Sequence, residues 1–172
     1  MDGYHLTRAQ LSALPNAEEA HRRRGAEFTF DGESFLALVK AVRAQTPDSD
    51  VIYAPSFDHA KKDPVDNDIP ILPSTKCIIF EGNYLSLNKE PWKEAGLLMD
   101  ENWFVEVDFE VAKKRLIERH LKSGICKDRE EATERATGSD LVNGDEILED
   151  RIGEDRIDEI IVSRTDADWA ID

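Results

Sequence analysis

The chain has 172 residues, of which 40% are hydrophobic and 34% are charged, and its 37 acidic and 22 basic side chains give a formal net charge of −15. This length suits one domain, 1–172, with a sizeable core. No apolar run approaches a bilayer span and no signal-peptide pattern opens the sequence, so we expect a cytoplasmic protein without a membrane segment. Two cysteines exclude a disulfide framework; we expect Cys77 in the core and Cys126 in a loop.

The acidic residues are concentrated towards the end of the chain. Residues 128–172 hold 16 acidic and 5 basic side chains, and a surface of this charge repels phosphate backbones. We therefore expect no nucleic-acid partner for this part. The simplest interpretation of the acidic stretch is a solvated helical face.

Short apolar runs alternate with amphipathic stretches, and this order predicts an α/β fold with a parallel sheet. Four runs of β-branched and aromatic residues predict strands that are covered on both faces. These runs are 51–54, 76–80, 103–107 and 159–162. Four prolines and four aspartates in residues 55–75 predict a long loop, which in a compact domain is more often functional than idle.

Three helices are predicted between these strands. Asp31 can cap the first, in which apolar residues recur at helical spacing from Phe35 to Val42. The second spans Phe109 to Lys122, with Gly124 as its stop signal. The third is a mostly polar stretch over 128–150 that we expect to be interrupted near Gly138 and Gly144.

Polar clusters follow the predicted strands, at the end of an open α/β sheet where ligands bind. Pro55 to His59 follows the first strand, Glu81 to Tyr84 the second, and Asp108 the third. Each cluster alone is a weak signal. Several at equivalent positions predict a ligand site along one edge of the sheet.

Taken in order, these motifs resemble those of the phosphoribulokinase/uridine kinase family of P-loop kinases, from residue 2 to about 150. The resemblance is closest to uridine-kinase-like and pantothenate-kinase-like members. It rests on Asp2-Gly3-Tyr4-His5-Leu6, Arg23-Arg24-Gly25-Ala26, Thr29-Phe30-Asp31, Pro55-Ser56-Phe57-Asp58-His59-Ala60, Asp63-Pro64, Glu81-Gly82-Asn83-Tyr84-Leu85, Trp103-Phe104-Val105 and Arg115-Leu116-Ile117-Glu118-Arg119-His120.

The resemblance implies a three-layer P-loop kinase fold, with helices on both faces of a parallel sheet and a lid at about 113–130. It also implies transfer of the γ-phosphate of ATP, with Mg²⁺, to a hydroxyl of a small metabolite such as a nucleoside, a sugar or a pantothenate-like alcohol. The motifs do not specify the acceptor, and they leave a homo-oligomer open.

By the same resemblance, Asp2 is the catalytic base and Glu81 is a catalytic residue that holds Mg²⁺, directly or through water. A turn-capping Asp2 and a helix-capping Glu81 are the alternatives. The implied substrate contacts are Tyr4, His5, Arg24, Phe57, Asp58, His59, Asn83 and Tyr84. For Asp58 and His59, a loop cap and a solvated imidazole are nearly as well supported.

Arg115, Arg119 and His120 match the lid helix, whose guanidinium groups close over the transferred phosphate. Because residues 115 and 119 are four apart, both project from one helical face. Pairing with surface acids is the alternative, especially for Arg119. Asp140 and Asn143 lie where related kinases approach the nucleotide, and they are the weakest of these candidates.

One element of the family pattern is missing. P-loop kinases carry G-x-x-x-x-G-K-[ST], whose backbone amides cradle the phosphates, yet none of the nine glycines here precedes a lysine. We therefore expect an N-terminally truncated fold, in which the first strand, the P-loop and the first helix are absent. The strands at 51–54 and 76–80 would then close a gap or expose edges and apolar faces. Alone, such a chain should be unstable or rearranged and should bind ATP weakly.

Two other functions remain open. The first is a non-catalytic remnant that retains a small-molecule or protein-binding surface. The second is a metal-dependent hydrolase that uses Asp2, His5, Asp58 and His59. It is less favoured because no histidine pair has the i, i+4 spacing of a helical zinc site.

Overall fold

The chain divides into two compact units, Met1–Met99 and Asp100–Asp172, and the computed structural model describes residues 1–164. The chain contains both helices and strands, interspersed along its length, which agrees with the predicted α/β class. The strands among these residues form two two-stranded sheets rather than the single layered sheet that the family resemblance implies. Within the same residues no helix is both long and apolar enough to cross a membrane.

The first unit contains four α-helices and one pair of strands. Its elements are a 3-10 turn at Asp2–Tyr4, α1 at Arg8–Ala13, α2 at Ala17–Arg22, a 3-10 turn at Glu27–Thr29, α3 at Gly32–Ala44, β1 at Ile52–Asp58, β2 at Asp63–Ile71 and α4 at Trp92–Leu97. The predicted helix after Asp31 is confirmed as α3. Its cap is also confirmed, because the Asp31 carboxylate accepts a hydrogen bond of 3.0 Å from the Ser34 amide.

The predicted loop at 55–75 is wrong, because most of it forms an antiparallel hairpin. β1 runs on past residue 54 and pairs with β2, with Ile52 opposite Ile71 and a bulge between Ala54 and Ser56. The prolines do not prevent pairing, because β2 lies at the edge of its sheet and needs hydrogen bonds on one side only. Lys62, with a φ of 58°, supplies the left-handed residue that closes the turn.

The predicted strand at 76–80 is also wrong, since this run pairs with no strand among the described residues. Cys77 is exposed rather than in the core, and Ile79 is 87% exposed. An apolar run becomes a strand only where a neighbour accepts its backbone hydrogen bonds. The exposure agrees with the expectation of an uncovered apolar face at this run.

The core of the first unit is built from aromatic rings. Trp92, Tyr84 and Phe35 are each about 1% exposed. Phe35 lies 5.7 Å from Trp92 and 5.3 Å from Tyr4 between ring centroids, the second contact being edge-to-face. Such pairs add about 0.5–1.5 kcal/mol beyond the burial of their area. The core therefore fixes the turn at Asp2–Tyr4 against α3 and α4.

The second unit contains β3 at Trp103–Glu106, α5 at Phe109–Lys122, α6 at Arg129–Arg135, a π-helical turn at Ala136–Asp140, α7 at Leu141–Glu149, a 3-10 turn at Glu154–Arg156 and β4 at Glu159–Val162. β3 and β4 pair in parallel, with Trp103 opposite Glu159, so both predicted strands are confirmed. The prediction that these strands are covered on both faces is wrong, because Trp103 is 61% exposed and Val105 is 60% exposed.

The helix predicted at Phe109 to Lys122 is confirmed with the same bounds. The Asp108 carboxylate accepts hydrogen bonds from the amides of Glu110 and Val111 at the start of the helix. Gly124 ends it with a φ of 69°, a conformation that glycine adopts without strain.

The stretch at 128–150 is helical with one interruption rather than two. The π-helical turn contains Gly138, as predicted, whereas Gly144 lies inside α7, where packing of the helix overrides the low propensity of glycine. Cys126 lies in the loop between α5 and α6, as predicted, but it is 5% exposed and belongs to the core of this unit rather than to the surface. It packs in a cluster with Ile117, Ala132 and Ala136.

Candidate active site

Two predicted catalytic segments lie side by side in the first unit. The nitrogen of Met1 donates a hydrogen bond of 2.5 Å to the carbonyl oxygen of Glu81. Asp2 follows Met1 directly, so the backbones of Asp2 and Glu81 are neighbours although 79 positions separate them in the sequence. Both side chains are exposed. The structure therefore brings the predicted base and the predicted metal ligand to the same region of the surface.

The segment from Asp2 to His5 also packs tightly on β1. A Cβ atom on Gly3 would overlap the carbonyl oxygen of Pro55, so only glycine allows this approach. Tyr4 is 8% exposed. Burial, and then the charge of Asp31, raise the pKa of its phenol to about 12. Tyr4 thus belongs to the core of this unit, and its role as a substrate contact stays a prediction.

His5 stands in a wall of aromatic rings. Its ring centroid lies 4.0 Å from that of Phe30 and 5.0 Å from that of Phe57. Its Nδ1 lies 2.8 Å from the carbonyl oxygen of Asp2, and because a carbonyl can only accept, Nδ1 carries the hydrogen. Burial lowers the pKa of His5 below its usual value. The neutral ring therefore predominates near pH 7.

Phe57 and His59 extend this wall along the hairpin. The two ring centroids are 5.2 Å apart, and His59 is exposed. Sequence reasoning found His5, Phe57 and His59 but assigned no role to Phe30, although the motif Thr29-Phe30-Asp31 contains it. We define His5, Phe30, Phe57 and His59 as the aromatic wall.

Asp58 caps the turn of the hairpin. Its Oδ1 accepts hydrogen bonds from the amides of Ala60 (2.9 Å) and Lys61 (3.0 Å). These bonds, that from Lys61 foremost, lower the pKa of the carboxyl. The geometry agrees with the loop-capping alternative for this residue.

The two terminal guanidinium nitrogens of Arg24 and the hydroxyl of Tyr84 make hydrogen bonds within the protein. The Arg24 guanidinium donates to the carbonyl oxygens of Leu6 (2.9 Å) and Lys62 (2.5 Å), and it pairs with Asp63 at 3.2 Å. The Tyr84 hydroxyl donates to the carbonyl oxygen of Gly25 at 2.7 Å. Of the predicted substrate contacts in this unit, His59 and Asn83 are the two with exposed side chains.

The predicted lid residues occupy the second unit. Arg115 donates to the Ser163 hydroxyl (2.8 Å) and to the carbonyl oxygen of Arg164 (3.2 Å), whereas Arg119 is exposed. His120 is 3% exposed, and its Nε2 lies 2.7 Å from Oδ2 of Asp140. These two residues were predicted separately, for phosphate and for nucleotide, and the structure joins them. Asn143 is buried as well.

Residues 1–164 contain no group of three or more histidine, cysteine, aspartate or glutamate side chains placed to hold a metal ion. Mg²⁺ in phosphoryl transfer is different, because one or two carboxylates suffice when substrate phosphates and water complete its shell. The exposed carboxylate of Glu81, the predicted metal contact, fits that requirement.

Similarity to known proteins places the chain in a family. The ATP-dependent kinase-like protein notR' of Aspergillus versicolor is 54% identical over 153 residues, which are 88% of this chain and 89% of that protein. The crystal structure of YFH7 from Saccharomyces cerevisiae, described as a proposed P-loop-containing kinase with a circular permutation, matches with a TM-score of 0.81 at 30% identity. The chain belongs to the P-loop kinase family. Its motifs had indicated that family, and this is confirmed.

Other relatives are longer than this P-loop kinase chain. The Schizosaccharomyces pombe protein C227.14, whose name proposes a uridine kinase, is 46% identical over 83% of the chain and 60% of its own length. The chain spans about half of the curated YFH7 proteins, 51% of that from Kluyveromyces lactis, and 57% of the YFH7 crystal structure. No protein-family model matches the sequence.

Proposed function

We propose that this protein is an ATP-dependent phosphotransferase whose acceptor is a hydroxyl of a small metabolite, such as a nucleoside, a sugar or a pantothenate-like alcohol. We further propose that these 172 residues supply the acceptor side of its site. The contact between Met1 and Glu81 carries the proposal, because it brings the backbone of Glu81 beside the Asp2–His5 segment, and the side chains of both Asp2 and Glu81 are exposed.

Asp2 is the proposed base. In phosphoryl transfer the protein mainly positions the reactants and accepts the proton of the attacking hydroxyl. An exposed carboxylate can reach that proton, and a group so placed contributes about 10²–10⁴-fold to the rate. The hydroxyl oxygen forms the new bond to the γ-phosphorus of ATP, the bond from that phosphorus to the β,γ-bridging oxygen breaks so that ADP leaves, and the hydroxyl proton moves to Asp2.

Glu81 is the proposed Mg²⁺ contact, directly or through water. When bound, Mg²⁺ neutralises charge on the phosphates of ATP. The backbone carbonyl oxygen of Glu81 accepts the hydrogen bond from Met1, and the side-chain carboxylate is exposed. The carboxylate is therefore the proposed ligand of the ion.

The aromatic wall is the proposed docking surface for the acceptor. Planar rings accommodate the apolar face of a base or a sugar, and polar edges orient its hydroxyls. His59 and Asn83 are the exposed polar candidates for those hydroxyls. The name of the S. pombe relative supports a nucleoside as the first acceptor to test.

The ATP phosphates require a cradle that these residues do not provide, since they contain no G-x-x-x-x-G-K-[ST] motif. We propose that a segment outside these 172 residues supplies it, and that this chain alone is inactive. The unpaired run at 76–80, with Ile79 exposed, supports this, because it offers an edge to a further strand. Arg119 is the proposed lid contact to the transferred phosphate.

The test uses the protein as isolated from its source cells, with its intact mass recorded. It is incubated with ATP, Mg²⁺ and a panel of nucleosides, sugars and pantothenate, and phosphorylated products are detected by mass spectrometry. Turnover of one acceptor class is expected. Asp2→Asn should lower kcat about 10²–10⁴-fold, whereas Asp48→Asn, an exposed aspartate outside the site, should not. Unchanged turnover by Asp2→Asn would refute the role of Asp2.

A mass of 19.5 kDa combined with binding of an acceptor but no turnover would instead favour the non-catalytic remnant.

A further inference from the structure

The tip of the hairpin that carries Phe57 and His59 is connected to the rest of the first unit through an ion pair between Arg24 and Asp63. The tip spans residues 58–63, and Asp58 lies opposite Asp63 in the β1–β2 register. The turn is closed internally by a hydrogen bond of 2.7 Å from the Lys62 amide to the Asp58 carbonyl oxygen. This internal bond closes the turn but does not connect it to the rest of the unit.

Arg24 supplies the external tie. Its side chain is only 16% exposed, and its guanidinium joins three separate points: Leu6 beside the Asp2–His5 segment, Lys62 at the tip, and the carboxylate of Asp63. The same guanidinium lies 5.6 Å from the centroid of the Phe57 ring. A planar guanidinium with several donors is suited to hold such points in one fixed geometry.

Asp63 completes the tie from the other side. Its Oδ1 accepts a hydrogen bond of 2.8 Å from the Arg8 amide at the start of α1, in addition to its contact with Arg24. Its side chain is 34% exposed. The carboxylate thus links the hairpin tip to α1, while Arg24 links it to the segment that leads into His5.

We propose that Asp63 is a positioning residue of the acceptor site, which holds the hairpin tip through Arg24 and the Arg8 amide so that Phe57 stays packed against His5. The proposal rests on the proposed function for the role of the aromatic wall, and on the contacts above for the tie itself. It also assigns Arg24 to positioning rather than to contact with substrate.

The consequence is specific to the geometry of the wall. Phe57 lies next to the tip, opposite Pro64, so a tip that is released from α1 carries Phe57 with it. The 5.0 Å packing of Phe57 on His5 then loosens and His5 becomes more hydrated. Acceptor affinity should fall while the Asp2 carboxylate is left in place.

The decisive variant is Asp63→Asn, which retains an oxygen for the Arg8 amide but removes the charge that pairs with Arg24. In the protein as isolated from its source, we expect KM for the acceptor to rise about tenfold with little change in kcat. A rise in KM at constant kcat indicates weaker binding rather than damaged chemistry. Glu19→Gln, which breaks the exposed 2.7 Å pair between Glu19 and Arg22, is the matched control and should change neither constant.

A second readout does not depend on activity. An NMR titration of His5 follows its pKa, which burial holds below the usual value. Besides burial, the charges of Asp2, Arg24 and the Met1 ammonium act on this pKa. Asp63→Asn should therefore raise the pKa of His5 through hydration of its ring, and Glu19→Gln should leave it unchanged.

The two readouts separate the two proposals. If the wild-type protein phosphorylates no acceptor, the proposed function fails, and the His5 titration still decides whether Asp63 holds the wall. If Asp63→Asn leaves both KM and the His5 titration at wild-type values, the positioning role is overturned. Should that variant fail to fold, Asp63→Glu, which keeps the charge but displaces the carboxylate by one methylene, is expected to show the same changes and is judged by the same criterion.

Discussion

The two units of the chain differ in the size of the side chains that form their cores. In the first, the fully buried residues include Trp92, Tyr84 and Phe35, whose rings contact one another. In the second, the central cluster joins one isoleucine, Ile117, to a cysteine and two alanines. A ring core is held by large contact areas, whereas a core of small side chains is held by the close approach of helices. The first should be sensitive to truncation and the second to enlargement.

Trp92→Ala is the largest expected effect and tests the first half of this contrast. Removal of a fully buried indole should lower the free energy of unfolding by about 3–5 kcal/mol, and it also removes the hydrogen bond of 2.9 Å from Nε1 to Glu27. Trp103→Ala is the matched control, because Trp103 is 61% exposed and should change the stability by at most about 0.5 kcal/mol. Urea denaturation measures the free energy of unfolding of both variants. Equal losses in the two would contradict the sensitivity of the aromatic core to truncation.

Ala136→Leu tests the second half. Ala136 is 0% exposed in the small-residue cluster, and three extra carbon atoms there should cost about 1–3 kcal/mol through overpacking. Ala44→Leu, at the exposed end of α3, is the control and should be nearly neutral. A stable Ala136→Leu variant in the same denaturation assay would mean that the helices of the second unit do not pack closely.

Tyr84→Phe tests how much a single buried hydroxyl contributes to the stability of the aromatic core. The ring core uses this hydroxyl to satisfy the carbonyl oxygen of Gly25, so its loss should cost about 1–2 kcal/mol. Tyr53→Phe, at a tyrosine that is 50% exposed, provides the baseline. If the Tyr84 hydroxyl has a structural role only, Tyr84→Phe should leave KM for the acceptor unchanged. A large rise in KM with no loss of stability would restore the substrate contact inferred from the family.

The pH dependence of stability should show the smallest effect. Because the folded protein lowers the pKa of His5, the unfolded chain binds more protons once the pH falls below about 6.5. The contribution of His5 is therefore complete above that pH and is lost as the pH falls through its folded pKa. Urea midpoints measured between pH 5 and 8 should show this slope, and His5→Gln should flatten it. An unaltered slope in that variant would assign the effect to other groups.

Helix ends were predictable because their signals are local. Asp108 and Gly124 define α5 within a few residues of the positions that they cap, and β-branched residues at 103–106 and 159–162 predict strands without knowledge of their partners. The same reasoning failed at 76–80, because an apolar run does not say whether a neighbouring strand exists.

The candidate site was predictable in its residue types but not in their roles. The tie between Arg24 and Asp63 joins residues 39 positions apart, and that between His120 and Asp140 joins residues 20 apart, so no local spacing reports either. The hairpin was missed for a related reason, since prolines argue against a strand only until its place at a sheet edge is known.

The fit of Gly3 against Pro55 has a consequence for the evolution of this chain. Any side chain at position 3 would have to displace the backbone of β1, so saturation mutagenesis under selection for the folded protein should recover glycine alone at that codon. Gly144 stands at the other extreme, inside a helix with open space around it, and there alanine should be accepted and should stabilise the helix by about 0.5–1 kcal/mol. Both positions hold glycine, but only position 3 requires it for steric reasons, whereas position 144 can accept other residues during evolution.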